Sequence, residues 1–325
     1  MAEQSVKIGL IADLHHALIH NGLQRLTQFL DAAREADVDF IMELGDFHLL
    51  AYDDQTPEGK HRRFSSAQVK QKTEPLRRFN GFEKPAYHAL GNHDCDYYTY
   101  EETLKLYEME KNYYSFHCKG WHFIVLDGNY FMDADGNYVH YSKGQYFKHG
   151  GKLPYVSPDQ LTWLEKELRQ GDEPVVIFSH QPLFDYPACI LNLDDFQSVL
   201  SRAKANGRKI RMCINGHLHV DDLDCVDGTL YYNVNSVSSG DWVGKAYATK
   251  RYSDKTEQNN PYLQYVIPYS KALYSIVTLD ADGFQAEARD GSIVAPSAAE
   301  LGYKSSNTRT PSTGRVEARD VKWPE

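Results

Sequence analysis

The 325-residue sequence contains no apolar run approaching the roughly 20 residues that span a bilayer, so a membrane-spanning reading is set aside. It also has no CxxC pair. Its five cysteines, Cys95, Cys118, Cys189, Cys213 and Cys225, are odd in number and widely spaced, which argues against a disulfide framework or a zinc ribbon. The opening residues MAEQSVKIGLIADLHH carry no basic leader followed by a long apolar region, so they do not read as a secretory signal, and reduced thiols in a cytoplasmic protein are expected. A basic surplus is missing too. The formal charge is −10, distributed along the chain, and gives no field to hold a nucleic-acid backbone, which counts against a nuclease.

What is present is ordinary for a globular protein, with 42% hydrophobic and 25% charged residues and length enough for a substantial core. The 23 tyrosines cluster in DYYTY (96–100) and NYYSF (112–116), where they either pack strands and loops or form an aromatic wall around a substrate.

Five short apolar runs read as buried strands: VKIGLIAD (6–13), DFIMELGD (39–46), PAYHALGNHD (85–94), PVVIFSH (174–180) and KIRMCINGHLH (209–219). Helical patterns separate them at 22–36, 157–171 and 193–207, the last two opening with Ser157 and Asp194 as N-caps and closing at Gly171 and Gly207. Alternating strands and helices imply crossover units and largely parallel pairing. After His219 the signals become closely spaced strands with turns at Asp227-Gly228 and Asp282-Gly283, which favours an antiparallel addition to the same core. The expected domain is residues 1–302, with lid-like insertions near 51–78, 128–156 and 236–271. Residues 303–325, without periodicity, are expected as a peripheral C-terminal tail.

Ligands of an open parallel sheet bind outside the carboxyl ends of its strands. Each of the five strands ends in metal-ligand residue types: Asp13 and His15, Asp46, Asn92 with His93 and Asp94, His180, and His217 with His219. In extended backbone, residues two apart project to one side, so either the Asp13/His15 or the His217/His219 pair could chelate an ion. Carboxylate with imidazole suits Mn²⁺, Fe²⁺ or Zn²⁺. Gly45, Gly91 and Gly216 fit such a site, because close backbone approach around metal ions is where Cβ atoms are unwelcome.

In this order the series D-x-H, G-D, G-N-H-D, H, G-H-x-H resembles the calcineurin-like metallophosphoesterases, which include purple acid phosphatases and class III cyclic-nucleotide phosphodiesterases. The resemblance covers roughly residues 6–235. It implies a four-layer α/β/β/α sandwich of two mixed β-sheets with two divalent transition-metal ions at one edge. Asp13, His15 and His219 would hold one ion, Asn92, His180 and His217 the other, and Asp46 would bridge. His93 would face the substrate, with Asp94 orienting its ring. Where purple acid phosphatases carry a tyrosine ligand this chain has Leu49, so no purple colour is expected; His48 beside it is read as a supporting or substrate-facing residue.

The expected activity is phosphate-ester hydrolysis, with Mn²⁺ placed ahead of Fe or Zn. A hydroxide shared by the two ions would attack phosphorus in line, and His93 would protonate the leaving group. The cations Lys60, Arg62, Arg63, Arg77, Arg78, Lys245, Lys250 and Arg251 either bind a terminal phosphate or are solvated. A small phosphodiester is favoured over a monoester. The alternatives are a phosphatase of small molecules or nucleotides, and a catalytically silent metal-binding scaffold.

Overall fold

A strand with apolar side chains on both faces must be covered on both, and the first strand, β1 (Val6–Ile11), meets that condition. Val6, Ile8 and Leu10 enter one core while Ile11 enters another. In the computed structural model, which describes residues 5–16, 18–47, 66–96, 98–142 and 154–324, two six-stranded mixed sheets are built on this rule.

In the first sheet β1 pairs in parallel with β2 (Phe40–Glu43), and β2 with β3 (Ala86–His88). On its other side β1 pairs antiparallel with β14 (Ser275–Leu279), which is followed by β15 (Gly283–Ala286) and β16 (Arg319–Lys322). The second sheet runs β10 (Asp222–Val226), β11 (Thr229–Asn233), β9 (Ile210–Asn215), β8 (Val175–Ser179), β5 (Trp121–Val125) and β4 (Tyr114–Cys118). Its four inner strands are parallel and its two outer ones antiparallel.

The sheets face each other across a core that includes Leu10, Phe40, Met42, Phe123, Val176, Phe178 and Ile214. Phe123 is fully buried at its centre, with ring centroids 5.0 Å from Phe40, 5.1 Å from Phe116 and 5.9 Å from Phe178. Phe123→Ala is expected to lower stability by about 3–5 kcal/mol, read from urea unfolding at unchanged m-value. The outer face of the first sheet packs on α1 (Gly22–Glu35) and α2 (Ser66–Asn80) through Leu26, Phe29, Leu76 and Phe79. That of the second packs on α4 (Pro158–Leu168) and α5 (Leu193–Ala205) through Leu164, Leu168, Phe196 and Leu200. The architecture is therefore the expected four-layer α/β/β/α sandwich.

Smaller elements fill the connections: α3 (Tyr100–Tyr107), the hairpin of β6 (Tyr130–Met132) with β7 (Tyr138–His140), and α6 (Asp254–Asn259) between β12 (Ser239–Trp242) and β13 (Val266–Pro268). The Ser157 hydroxyl accepts from the Gln160 N–H as expected. Asp194, by contrast, is not an N-cap: Asn192, fixed by hydrogen bonds to Val156, precedes the helix, and Asp194 lies in the first turn, where its charge favours the helix dipole. The tail expectation is also corrected. β16 completes the first sheet, with Val321 and Trp323 packed on the inter-sheet core, a stretch too short to show periodicity in sequence.

No described helix is long and apolar enough to cross a membrane. All five cysteines are free. Cys95 and Cys213 are buried, Cys118 and Cys189 are partly buried and Cys225 is exposed.

Candidate metal centre

β1, β2 and β3 of one sheet and β8 and β9 of the other release the chain at a common edge, and all seven expected ligands meet there. His219 Nε2 lies 3.2 Å from Asp13 Oδ1 and 3.3 Å from His15 Nε2. Beside them, His180 Nε2 lies 3.3 Å from Asp46 Oδ2, 3.2 Å from Asn92 Oδ1 and 3.1 Å from His217 Nδ1. Asp46 Oδ2 is also 3.9 Å from His15 Nε2, so this carboxylate stands between the two groups.

The geometry that brings them together is not the extended backbone expected of the D-x-H and H-x-H pairs. Asp13, His15, Asp46, His217 and His219 all have positive φ, between 45° and 69°. Each such residue costs of order 1–3 kcal/mol and persists only where its surroundings fix it. Here the loops are tied to one another. Asp13 N–H donates to Gly45 O (3.0 Å), His15 N–H to Asp46 O (3.0 Å) and His217 N–H to Asp13 Oδ2 (3.0 Å), while Ser236 and Ser238 donate to Asp13 O at 2.9 and 3.1 Å. The approach is so close that a Cβ on Gly91 would collide with the Asp46 carboxylate, and one on Gly216 would stand 2.8 Å from Asp13 Oδ2.

The donor atoms fit cations. His180 Nδ1 donates to Leu44 O (2.7 Å) and His219 Nδ1 to Gly240 O (2.9 Å), assignments that turn both Nε2 lone pairs inward. These nitrogens face other lone pairs and carboxylate oxygens, an arrangement that needs positive charge between them, either a cation or the protons that, against the effect of burial, Asp46 and Asp13 favour on His180 and His219. Asp13 Oδ1 is buried with no hydrogen-bond donor. Two groups, Asp13/His15/His219 and Asp46/His180/His217, each bring their ligand atoms within 4.8 Å of one another. Burial pushes His15 and His217 down to about 3, which keeps both in the neutral form that binds metals. Burial raises Asp46, but His180 and His93 outweigh it and hold this carboxyl well below the usual range.

His93 sits at the mouth of the cluster. Its side chain is 24% exposed against 4% for His15, and the two ring centroids are 5.8 Å apart. Its backbone N–H donates to Asp46 Oδ1 (2.7 Å). The partner of its ring is Asp96, 2.7 Å from Nδ1, and not Asp94 as expected, because the chain turns through 92–95 and returns the side chain three residues on. Burial lowers the His93 imidazole, yet Asp46 and Asp96 more than reverse this and raise it to about 10. Asp94 instead accepts from Gly91 N–H (2.7 Å), Asp46 N–H (3.0 Å) and the Tyr107 hydroxyl (2.5 Å), which clamps the Asp46 loop to the Asn92 loop.

Sequence reasoning misses a second clamp. Buried Glu43 accepts from Gly45 N–H (2.5 Å) and meets His88 Nδ1 (3.1 Å), and its one signal is a carboxylate inside the apolar run FIMELGD. His48, Leu49, Lys60, Arg62 and Arg63 lie outside the described residues. Arg77 and Arg78 pair with Glu74, Lys250 with Asp254, and Arg251 donates to the Thr249 and Pro296 carbonyls. Three of the clustered tyrosines serve packing: Tyr100 bonds Asn112, Tyr113 packs on Trp163 and Tyr114 bonds His88. Cys95 is buried against Phe131 and Tyr141, and burial pushes its thiol well up.

No curated protein matches this chain by sequence. Among solved structures, a dimetal phosphatase from Danio rerio is similar in fold, with 15% identity and a TM-score of 0.59 over 89% of this chain and 98% of the other. PhoD is similar at 12% identity and a TM-score of 0.53, over 88% of this chain and 66% of the other. A family profile described as calcineurin-like phosphoesterase matches residues 6–221, two-thirds of the chain and all seven converging side chains, and the chain therefore belongs to this family of metal-dependent phosphoester hydrolases.

Proposed function

We propose that the chain hydrolyses small phosphodiesters with two divalent transition-metal ions, Mn²⁺ ahead of Fe²⁺ or Zn²⁺. Asp13, His15 and His219 would hold one ion and Asn92, His180 and His217 the other, with Asp46 shared. The observation that carries this reading is the pair of ligand groups around the donorless Asp13 Oδ1. Such ions, when bound, supply an acidified water as nucleophile and positive charge for the phosphate oxygens.

The chain's own residues do the rest. Asp46 Oδ1 holds the backbone of His93, and Asp96 holds its ring, so the imidazole presents Nε2 toward a leaving-group oxygen and supplies its proton. Two divalent cations, when bound, would carry more charge than the carboxylates of Asp13 and Asp46 that face them, although the protein is acidic.

The diester preference rests on the placement of charge. A monoester carries nearly two charges and favours additional cations, and of the described candidates Arg77, Arg78, Lys250 and Arg251 already have partners. After Mn²⁺ reconstitution, kcat/KM for bis(4-nitrophenyl) phosphate is expected to exceed that for 4-nitrophenyl phosphate. A faster monoester makes the protein a phosphatase; two bound ions with no turnover of any ester make it a scaffold.

A further inference from the structure

His219 relies more than the other ligands on residues that arrive late in the chain. Its Nδ1 donates to Gly240 O, and its own carbonyl accepts from the Tyr269 hydroxyl (3.0 Å). That hydroxyl, fully buried, also meets Asn235 Oδ1 (2.8 Å) and the Ser312 hydroxyl. Ser312 and Tyr269 together grip residue 240. A Cβ there would stand 2.7 Å from Ser312 Oγ and 3.2 Å from Tyr269 Oη, so only glycine fits.

The segment carrying Ser312 is anchored on both sides of the metal edge. Toward the second sheet, Arg309 stacks over Tyr186 at 4.6 Å, donates to Asp185 O and pairs with Asp224 at 3.7 Å. Toward the first, Arg315 O accepts from Asn235 Nδ2 (3.1 Å), Val316 bridges to Arg289, and β16 joins β15. Asp221, two residues beyond His219, accepts from Glu317 N–H (2.8 Å) and pairs with Arg319 (2.8 Å).

We propose that this C-terminal strap, residues 305–317, acts through Ser312, Tyr269 and Gly240 as the positioning device for His219. The ion held by Asp13, His15 and His219 then depends on the strap, while the ion at His180 and His217 does not. The proposal rests on the binuclear reading above. An imidazole ligand keeps its orientation through the hydrogen bond of its other nitrogen, and loss of such support costs roughly 10–100-fold in metal affinity.

The test is Mn²⁺ titration of the full-length chain, with free ion followed by electron paramagnetic resonance. In Ser312→Ala and Tyr269→Phe one site is expected to weaken about tenfold and the other to hold. The weakening should persist when His180→Ala has disabled the second site and vanish in a His219→Ala background. Two wild-type sites with unchanged affinities in both variants would overturn the strap and leave the metal centre standing; a wild-type chain that takes up no Mn²⁺ overturns the reading beneath it. Should Tyr269→Phe fail to fold by circular dichroism, Arg309→Ala loosens the strap at an exposed anchor and must weaken the same site. Equal weakening of both sites in that variant would also overturn the proposal.

Discussion

Asp46→Ala is expected to leave fewer than two ions per chain and to lower kcat/KM on a nitrophenyl diester by about 10³–10⁴-fold. Asp46 Oδ2 is 3.3 Å from His180 Nε2 and 3.9 Å from His15 Nε2, so its loss removes a ligand atom from the junction of both groups. A metal in such a site lowers the barrier by several kcal/mol, and each 1.36 kcal/mol is tenfold in rate. The variant also loses the acceptor of the His93 N–H, so proton donation should suffer together with ion binding. Elemental analysis of purified variant and wild type, alongside turnover, checks both arms. An unchanged stoichiometry of two ions would refute the bridging role.

His93→Ala is expected to divide substrates by leaving group. Esters of alkyl alcohols should lose about 10²–10⁴-fold in kcat, the range for removal of a general acid, whereas nitrophenyl esters, whose phenolate departs without a proton, should lose less than about tenfold. The contact between His93 and Asp46 runs through the backbone N–H and survives truncation of the ring, so the tie between the two loops is kept while the imidazole's charge beside Asp46 is lost. Equal losses on both substrate types would remove His93 from the acid role and leave it a binding residue.

The candidate ligand set was readable in the sequence because each of five apolar strands ends in Asp, His or Asn, and strands must end somewhere near the edge where loops converge. Four features were not readable, for separate reasons. The left-handed φ values of Asp13, His15, Asp46, His217 and His219 oppose local preference and come from contacts between loops far apart in sequence, such as His15 N–H with Asp46 O. The exchange of Asp94 for Asp96 as partner of the His93 ring depends on one tight turn that spacing does not resolve. The hairpin of β4 and β5 turns at Lys119-Gly120, where a lysine at φ 51° is no turn signal, and α3 starts with a Thr99/Glu102 capping box hidden among tyrosines.

The position of β1 between β2 and β14 has a consequence for biogenesis. During synthesis β2 follows β1 closely, whereas the partner of its other edge, Ser275–Leu279, is made far later. Non-local pairing of this kind is slow, and an uncovered hydrophobic strand edge invites association with other chains. A nascent chain stalled before Ser275 would thus display every ligand-bearing loop on half-built scaffolding, exposed to aggregation and to capture of stray ions before the enzyme exists.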